Sequence, residues 1–430
     1  MTRTIFKSKF ADIDIPLIDL PAFFFGKVRQ HAEFACTDSP RQLLIDGTEG
    51  STESLTLGQV EEMTERLASG LYNKLGVRQG DVLAVVLPSS IYYPVVVLAA
   101  LMVGATCTLA NPAYTSGELA HQLEDSGSKF VIATRALLPV IAGASEGQHT
   151  EGSTPAISLE HHTLIVEGPL AQTGATGDNA AVRSIFDILS DSYYPRAHLT
   201  TFEALSATTA LIPYSSGTTG LPKGVKLSHY NLVANLLQVG LVLGQMTSAK
   251  YPRTSMGILP MFHSFGMVAV ALGMPTCGSS LVVMPKFEMA QFLSLVQKHR
   301  ATDAMLVPPI INALVKLPMV RKYDLSSMSW IVCGAAPLST STIIALETLF
   351  DGISVMQGYG LTETSPGISI NSPHIKNTDS SGPLLPNIEA IVIDDLGRAL
   401  GTDEVGELCF RGPNVMTGYL NNDQATRETI

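Results

Sequence analysis

Residues 81–111 read DVLAVVLPSSIYYPVVVLAALMVGATCTLAN, and this stretch decides the fold class. DVLAVVLP (81–88) is a short, almost continuous apolar run, which is typical of a strand buried on both faces. IYYPVVVLAALMVG (91–104) is long enough for a helix, and ATCTLAN (105–111) predicts a second buried strand. Two buried strands joined through a helix form a βαβ unit, so the stretch predicts a largely parallel α/β sheet.

The same alternation continues along the chain. Apolar residues recur at spacings of three and four over residues 57–75, which predicts an amphipathic helix. Residues 143–200 are rich in Gly, Ser, Thr and Ala, and predict a surface-exposed connector with one strand at 162–168. Strand–helix units then resume. Near the C-terminal end, IEAIVIDDLGRAL and VGELCFRGP alternate around a turn and predict an antiparallel hairpin.

The composition excludes several classes of protein. A chain of 430 residues is too long for one ordinary core, which favours two or three lobes. Its 46% hydrophobic and 15% charged residues exclude a disordered chain. The net charge of −11 argues against a nucleic-acid partner. The five cysteines are scattered without C-x-x-C spacing, and predict reduced thiols without a disulfide framework or zinc site.

Two apolar stretches, residues 94–110 and 264–285, are the candidates for membrane spans. The first is short and the second contains Gly, Pro and Ser, so we expect each to be a buried helix followed by a buried strand, with no transmembrane segment. Aspartates and a proline interrupt residues 1–27, which therefore lack the apolar region of a secretory signal. We expect a cytoplasmic or peroxisomal protein that is not secreted.

Residues 211–228 read LIPYSSGTTGLPKGVKLS, and combine hydroxyls, glycines and a cation where a predicted strand ends. Spaced glycines let backbone N–H groups approach an anion, and Lys223 adds a charge suited to phosphate. The hydroxyl donors are Ser215, Ser216, Thr218 and Thr219. The spacing is not that of a Walker A loop, because Gly224 follows Lys223 where that motif has Ser or Thr. A polar turn explains only part of this pattern, so we predict a phosphate-binding loop.

Two loops further along the chain also follow apolar runs. QGYGLTETSP offers the Thr362 hydroxyl for a phosphate and the Glu363 carboxylate for Mg²⁺, although a surface glutamate explains the second residue equally well. CGAAP (333–337) carries small residues, among them Gly334, which would let a flat base or an acyl group lie against the backbone. Tight packing in a turn is an equally good interpretation of this loop.

LPMFHSFGM (259–267) places His263 between Phe262 and Phe265. Such a histidine could gate an apolar pocket. A lone histidine in an apolar run is more often a hydrogen-bonded core residue, and both interpretations stay open from these residues.

Taken in order, these loops resemble those of the adenylate-forming superfamily, which comprises acyl- and aryl-CoA synthetases, peptide-synthetase adenylation domains and luciferases. YSSGTTGLPKGV is similar to its phosphate-loop signature, GYGLTET to its second signature, and VGELCFRGPNVMTGYLNN to the segment that closes its large N-terminal domain. PMFHSFGM, MPKFEMAQF, VPPIINALVK and NPAYTSGELAHQLEDSGSKFVI look most like the 4-coumarate–CoA ligase branch. The resemblance covers about Ile5 to Ile430. It implies an α/β fold with two mainly parallel sheets flanked by helices and a small antiparallel β-barrel-like region near the C-terminal end.

The resemblance implies an ATP-dependent carboxylic acid–CoA ligase that works in two steps. A carboxylate attacks the α-phosphate of ATP, pyrophosphate leaves, and an acyl-adenylate forms. The thiol of coenzyme A then displaces AMP. The implied cofactors are ATP, Mg²⁺ and coenzyme A, and the implied substrate is a small-molecule carboxylic acid.

The resemblance also implies roles for individual residues. Those around the ATP phosphates are Ser215, Ser216, Gly217, Thr218, Thr219, Gly220 and Lys223, and those facing the adenine or acyl-adenylate are Ala335, Gln357 and Gly358. Thr362 would contact the AMP phosphate, Glu363 the Mg²⁺, and Lys286 the coenzyme A. The implied catalytic set is His263, Lys223, Thr362 and Glu363, and the implied substrate pocket is His263, Phe265, Ala269 and Gly334.

Two pocket residues depart from the pattern of the coumarate enzymes. Phe265 stands where those enzymes commonly have Tyr, and Ala269 where they usually have a small polar residue. Both changes make the acyl pocket less polar. We therefore expect a medium- or long-chain fatty acid, or another apolar carboxylate, in place of a hydroxycinnamate.

The resemblance also sets the expected domain organisation. Residues 1–430 should form one AMP-binding N-terminal domain with subdomains of roughly 1–205 (α/β), 206–382 (α/β, with the nucleotide loops) and 383–430 (β-rich). We expect the family's mobile C-terminal domain, with its catalytic lysine, to be absent from this sequence and both half-reactions to be impaired. Two other functions stay open: a catalytically weak nucleotide- or acyl-binding protein, and a peptide-synthetase-type adenylation domain. The sequence does not indicate an oligomeric state.

Overall fold

Buried strands that alternate with helices build two eight-stranded sheets in the computed structural model of the chain. The structure describes residues 5–36, 38–146, 159–166, 182–215, 221–244, 246, 251–350, 352–372 and 377–430. Its strands are β1 (Phe6–Lys7), β2 (Gln42–Asp46), β3 (Ser54–Thr56), β4 (Val82–Val86), β5 (Thr106–Leu109), β6 (Ser128–Ala133), β7 (Thr163–Ile165), β8 (Arg183–Ser184), β9 (Thr209–Ser215), β10 (Lys223–Ser228), β11 (Thr254–Gly257), β12 (Ser280–Val283), β13 (Asp303–Leu306), β14 (Trp330–Cys333), β15 (Ser354–Gly360), β16 (Gly367–Ile370), β17 (Glu389–Ile393), β18 (Glu407–Arg411) and β19 (Gly418–Tyr419).

The helices cover the faces of these sheets. They are α1 (Leu20–Val28), α2 (Ala32–Ala35), α3 (Leu57–Gly70), α4 (Tyr93–Val103), α5 (Ser116–Ser126), α6 (Leu138–Glu146), α7 (Leu159–His162), α8 (Phe202–Ala207), α9 (His229–Leu243), α10 (Gly273–Thr276), α11 (Met289–His299), α12 (Pro308–Lys316), α13 (Thr340–Leu349) and α14 (Asp423–Thr429). Two π-helical segments, Leu71–Leu75 and Phe265–Leu272, and three 3₁₀ segments, Arg135–Leu137, Pro318–Lys322 and Thr362–Thr364, complete the described helical structure.

The first sheet has the strand order β19-β10-β9-β5-β4-β6-β7-β8, and its strands from β9 to β8 run parallel. Val82 of β4 pairs with Thr106 of β5, and α4 connects the two strands. Every residue of α4 is buried, because the helix packs between the sheet and other helices. The predicted βαβ unit is therefore confirmed.

The second sheet has the order β16-β15-β14-β13-β11-β12-β2-β3, with parallel strands from β15 to β2 and antiparallel strands at both edges. A small antiparallel sheet, β1-β17-β18, contains the predicted hairpin, in which Ile391 pairs with Cys409. Two large, mainly parallel sheets flanked by helices and a small antiparallel region confirm the expected fold class.

The expected surface connector over residues 143–200 is wrong for its described C-terminal part. β7 pairs with a second strand, β8, which extends the first sheet. Ile185 and Ile188 are fully buried, and the carbonyl oxygen of Ile188 lies 2.0 Å from where a Cβ of Gly70 would stand. Only a glycine permits this close approach. Residues 147–158 and 167–181 of the stretch lie outside the described residues.

The two apolar stretches considered as membrane spans form short elements of the core. Residues 94–110 lie in α4 and β5, and residues 264–285 include the second π-helical segment, α10 and β12. Across the described ranges, no helix has both the length and the apolar character needed to cross a membrane.

Helix α9 links the two large sheets, and its first residue is a buried histidine. Its N-cap is Ser228, as the sequence predicts, and the Ser228 hydroxyl accepts a hydrogen bond from the Asn231 N–H. His229 is 2% exposed, and its Nδ1 accepts a hydrogen bond of 3.1 Å from the Leu20 N–H. Burial lowers the pKa of His229 to about 4, although the nearby Asp19 carboxylate acts in the opposite direction.

We expect the buried His229 to make the fold sensitive to acid. Because its pKa is lower in the folded chain than in the unfolded chain, the unfolded chain binds a proton first as the pH falls. The contribution of His229 is therefore present above about pH 6.5 and is lost towards about pH 4. The free energy of unfolding should fall by about 2 kcal/mol more in the wild type than in His229→Gln between about pH 7 and about pH 5. Denaturant titrations at both pH values measure this difference.

The same substitution at the exposed His198 serves as the control, and there the pH dependence of the wild type should persist. Equal pH dependence in the wild type and in His229→Gln would contradict the prediction.

Candidate active site

An apolar cavity of about 100 Å³ opens at the carboxyl edge of the second sheet. The ends of β13, β14 and β15 meet there because these strands are parallel neighbours, and this edge is where α/β proteins usually bind ligands. The apolar lining consists of Val239, Phe265, Ala269, Met305, Val332, Ala335, Leu361, Pro366, Ile370 and Leu385, and the polar side chains in the lining are His263, Ser264, Tyr359, Thr362 and Ser369. The cavity thus has an apolar body with few polar groups, as small-molecule sites do.

The loop after β14 forms one wall of this cavity. The Gly334 N–H donates a hydrogen bond of 3.1 Å to the Leu306 carbonyl oxygen, which continues the ladder between β13 and β14. A Cβ at Gly334 would stand 2.9 Å from the Phe265 ring, so the absence of a side chain lets the ring pack against the backbone. Ala335 has a φ of 68°, a left-handed conformation that costs an alanine about 1 kcal/mol. Such local strain is often found at functional sites.

The second π-helical segment supplies the opposite wall. It begins at Phe265, directly after His263 and Ser264, and it also carries Ala269. The Phe265 N–H donates a hydrogen bond of 3.3 Å to His263 Nδ1. Desolvation by the surrounding loops lowers the pKa of His263, although its ring keeps contact with solvent. His263 is therefore a neutral imidazole near pH 7, with its proton on Nε2.

Thr362 faces the polar end of the cavity. Its hydroxyl oxygen lies 3.3 Å from the Ser264 hydroxyl oxygen, within hydrogen-bonding distance. The short 3₁₀ turn that carries Thr362 is fixed from below, since Asn414 Nδ2 donates a hydrogen bond of 2.8 Å to the Thr364 carbonyl oxygen. The polar side chains His263, Ser264 and Thr362 are thus grouped together.

Glu363, the neighbour of Thr362 in the chain, is linked to Lys223 through Tyr419. Tyr419 Oη donates a hydrogen bond of 2.8 Å to Glu363 Oε1. The ammonium nitrogen of Lys223 lies 4.5 Å from the centre of the Tyr419 ring, which is a cation–π contact. The structure therefore brings together Lys223, Thr362 and Glu363, which lie far apart in the sequence.

The predicted phosphate-binding loop joins β9 to β10. Ser215 and Lys223 are paired partners at the two ends of the loop. The Ser215 hydroxyl oxygen is buried and has no hydrogen-bond partner among the described residues. The remaining predicted loop residues, Ser216, Gly217, Thr218, Thr219 and Gly220, lie outside the described residues.

A second cleft, of about 580 Å³, adjoins the cavity and shares Ala335, Tyr359, Gly360 and Leu361 with it. Tyr359 is 40% exposed, and its ring centre lies 5.9 Å from that of Phe410 in the small antiparallel sheet. Gln357 connects two walls of the cleft: its Oε1 accepts a hydrogen bond from the Leu338 N–H, and its Nε2 donates one to the Thr378 carbonyl oxygen. Both ends of the Gln357 amide are therefore used within the protein.

The other predicted residues fall in two places. Gly358 lines the cavity with Gly334, Ala335, Phe265 and Ala269. Lys286 lies in an exposed turn between β12 and α11, and is not part of the cavity lining.

Sequence reasoning missed several residues of the site. Tyr419 and Ser264 stand inside quoted segments without an assigned role, and Val239 lies on the buried helix α9. No local pattern distinguishes these residues from ordinary core residues. Only the pairing of β19 with β10, in which Tyr419 is the partner of Val225, places Tyr419 beside Lys223.

The side chains at the polar end could hold a magnesium ion. Among the described residues, no group of three or more His, Cys, Asp and Glu side chains converges as a metal site. Mg²⁺ usually needs only one or two carboxylates, and takes its other ligands from water and phosphate oxygens. The Glu363 carboxylate, next to the Thr362 hydroxyl, fits this pattern.

Comparisons with known proteins agree with this geometry. A family model described as AMP-binding enzyme matches residues 31–420. Over 433 residues the chain is 35% identical to a probable 4-coumarate–CoA ligase 3 of Dictyostelium discoideum, covering 100% of this chain and 75% of that protein.

Solved structures give the same result. A long-chain-fatty-acid–CoA ligase of Archaeoglobus fulgidus superposes with a TM-score of 0.82 at 28% identity, covering 98% of this chain and 80% of that one. ATP-bound MatB of Rhodopseudomonas palustris superposes with a TM-score of 0.75 at 25% identity, covering 95% of this chain and 73% of that one. The chain therefore belongs to the AMP-binding enzyme family, the adenylate-forming enzymes whose loops its sequence resembles.

Proposed function

We propose that the protein is an ATP-dependent carboxylic acid–CoA ligase that activates an apolar acid. One observation carries the proposal: Thr362 lines the apolar cavity, and its chain neighbour Glu363 is linked through Tyr419 to Lys223. A cation, a carboxylate and a hydroxyl suit a nucleotide phosphate with its metal ion, and the cavity suits an acyl chain. The named activities of the relatives support the same reaction.

In the first step, a carboxylate oxygen of the acid attacks the α-phosphorus of ATP. A new oxygen–phosphorus bond forms, the bond to the β-phosphate bridging oxygen breaks, and pyrophosphate leaves. Such a reaction needs positioning and charge neutralisation, and it needs no nucleophilic side chain. The Lys223 ammonium and the Thr362 hydroxyl would contact the phosphates. The Mg²⁺ would supply further neutralisation of charge, with Glu363 as its protein ligand.

The role of His263 follows from its protonation state. Its Nδ1 accepts the Phe265 N–H, so the neutral ring carries its proton on Nε2. That N–H can donate a hydrogen bond to the acid and orient its carboxylate. A neutral imidazole would not form a competing ion pair with the carboxylate, which must stay free to attack.

In the second step, the coenzyme A sulfur attacks the acyl carbon and AMP leaves. The exposed Lys286 ammonium suits a phosphate group of coenzyme A as a surface contact. The tyrosine platform of Tyr359, supported by Phe410, suits the adenine of the nucleotide in the second cleft.

The alternative function is nucleotide or acyl binding with little turnover. The same polar group and cavity also suit this function, because binding a nucleotide or an acyl group does not require that the reaction is completed. Acid-dependent exchange of pyrophosphate into ATP distinguishes the two functions, since only the ligase reverses adenylate formation.

We predict that the chain binds Mg²⁺·ATP, and that Lys223→Ala weakens this binding about 10-fold, because one charged phosphate contact is lost. Isothermal calorimetry measures both affinities. The control is Lys226→Ala, on the opposite face of the same strand, which should bind like the wild type. Equal affinity of wild type and Lys223→Ala would contradict the assigned role of Lys223.

We predict that the cavity binds an unsubstituted aryl acid more tightly than the same acid with a hydroxyl group on its ring. A cinnamoyl sulfamoyl adenosine should bind about 10-fold more tightly than the 4-hydroxycinnamoyl compound, because a buried hydroxyl without a partner costs about 1–3 kcal/mol. The Ser369 hydroxyl donates to Ser381, so its proton is not available to the phenol oxygen. Calorimetry with both compounds measures the ratio, and tighter binding of the phenol would overturn the proposed acid class.

We predict that the Phe265 ring limits the length of the acid. In Phe265→Ala, the space beside Gly334 opens, and the affinity for a dodecanoyl over a cinnamoyl sulfamoyl adenosine should rise about 10-fold. Competition binding with the two compounds measures this ratio. Phe262→Ala is the control, because Phe262 does not line the cavity. An unchanged ratio in Phe265→Ala would show that another wall sets the limit.

A further inference from the structure

Tyr419 lies between Lys223 and Glu363, two groups of opposite charge next to the cavity residue Thr362. Its ring faces the Lys223 ammonium at 4.5 Å, and its hydroxyl donates to Glu363 Oε1 at 2.8 Å. Lys223 and Glu363 form no ion pair with each other in the structure. A direct ion pair would neutralise both groups before a ligand arrived.

We propose that Tyr419 is a positioning residue that keeps Lys223 and Glu363 apart, with the lysine directed to phosphate and the carboxylate to the metal ion. The inference rests on the proposed ligase function, in which both groups serve Mg²⁺·ATP. It assigns to Tyr419 no contact with the reacting atoms.

The backbone holds Tyr419 rigidly enough for this role. Tyr419 is 5% exposed and pairs with Val225 in β10, next to the strand position of Lys223. Its N–H donates a hydrogen bond of 2.9 Å to the Thr426 hydroxyl, and the following N–H, of Leu420, donates one to the Gly224 carbonyl oxygen. The backbone of Tyr419 is therefore fixed against β10, the strand that begins at Lys223.

The Tyr419 hydroxyl is directed at one oxygen of Glu363. It donates a hydrogen bond of 2.8 Å to Oε1 from a residue that is 5% exposed. Its hydrogen bond occupies Glu363 Oε1 and fixes the orientation of the carboxylate. Oε2, which accepts no hydrogen bond from a described residue, is then the oxygen available to a cation.

Tyr419→Phe separates the two contacts, because it keeps the ring under Lys223 and removes the hydroxyl from Glu363. Loss of a partner that orients a metal ligand typically weakens metal binding by about 10-fold or more. We expect calorimetric titrations of ATP to show a Mg²⁺ requirement about 10-fold higher in Tyr419→Phe, with ATP affinity at saturating Mg²⁺ within about 2-fold of the wild type.

The matched control is Tyr194→Phe. The Tyr194 hydroxyl also donates to a glutamate, with 2.6 Å to Glu65 Oε2, but this glutamate lies on α3 and forms an ion pair with Arg196. Tyr194→Phe should leave the Mg²⁺ requirement unchanged. A Mg²⁺ requirement in Tyr419→Phe no higher than in Tyr194→Phe would reduce Tyr419 to a structural residue and overturn the inference.

A double-mutant cycle gives a second readout. In the Glu363→Gln background, Tyr419→Phe should cause no further rise in the Mg²⁺ requirement, because the carboxylate it orients is already gone. A further rise as large as the one that Tyr419→Phe causes in the wild-type background would contradict the inference. If the wild-type chain binds no Mg²⁺·ATP, the proposed function and the inference are both overturned. If the wild type binds Mg²⁺·ATP and Tyr419→Phe has the same Mg²⁺ requirement, only the inference is overturned.

Discussion

The parallel pairing of β13, β14 and β15 is the constraint on which the candidate site depends. It brings the carboxyl ends of three strands to one edge, where their loops form the cavity wall. Because a slip of one residue would turn every side chain of a strand to the opposite face, the register also decides which residues face the cavity. Gly334, whose backbone lies against the Phe265 ring, follows directly after β14.

Helix α9 provides the second constraint, because it connects β10, the strand after the predicted phosphate-binding loop, to the cavity wall of the other sheet. The helix starts where β10 ends, and its Asn235 contacts Gly367, which lines the cavity. Asn235 Oδ1 accepts the Gly367 N–H at 3.0 Å, and its Nδ2 donates to the Gly367 carbonyl oxygen at 2.8 Å. A nucleotide held by the loop and an acid held by the cavity would therefore meet in a fixed geometry, as adenylate formation requires.

The sequence predicts the fold class well because buried strands and amphipathic helices leave local patterns. It does not predict that β2 and β3 join the second sheet while β9 and β10 belong to the first, since these pairings join distant segments. The same limit applies to the site. Local glycine and hydroxyl chemistry singles out Lys223, Thr362 and Glu363, whereas Tyr419 acquires its neighbours only through strand pairing.

The most direct test of the account is a crystal structure of the chain with cinnamoyl sulfamoyl adenosine. The account predicts that the cinnamoyl group lies in the apolar cavity between Phe265 and Gly334, that the sulfamate lies beside Thr362, and that the adenine lies next to Tyr359. A compound bound outside this cavity, or a sulfamate remote from Thr362, would contradict the claim that an acid and a nucleotide meet here.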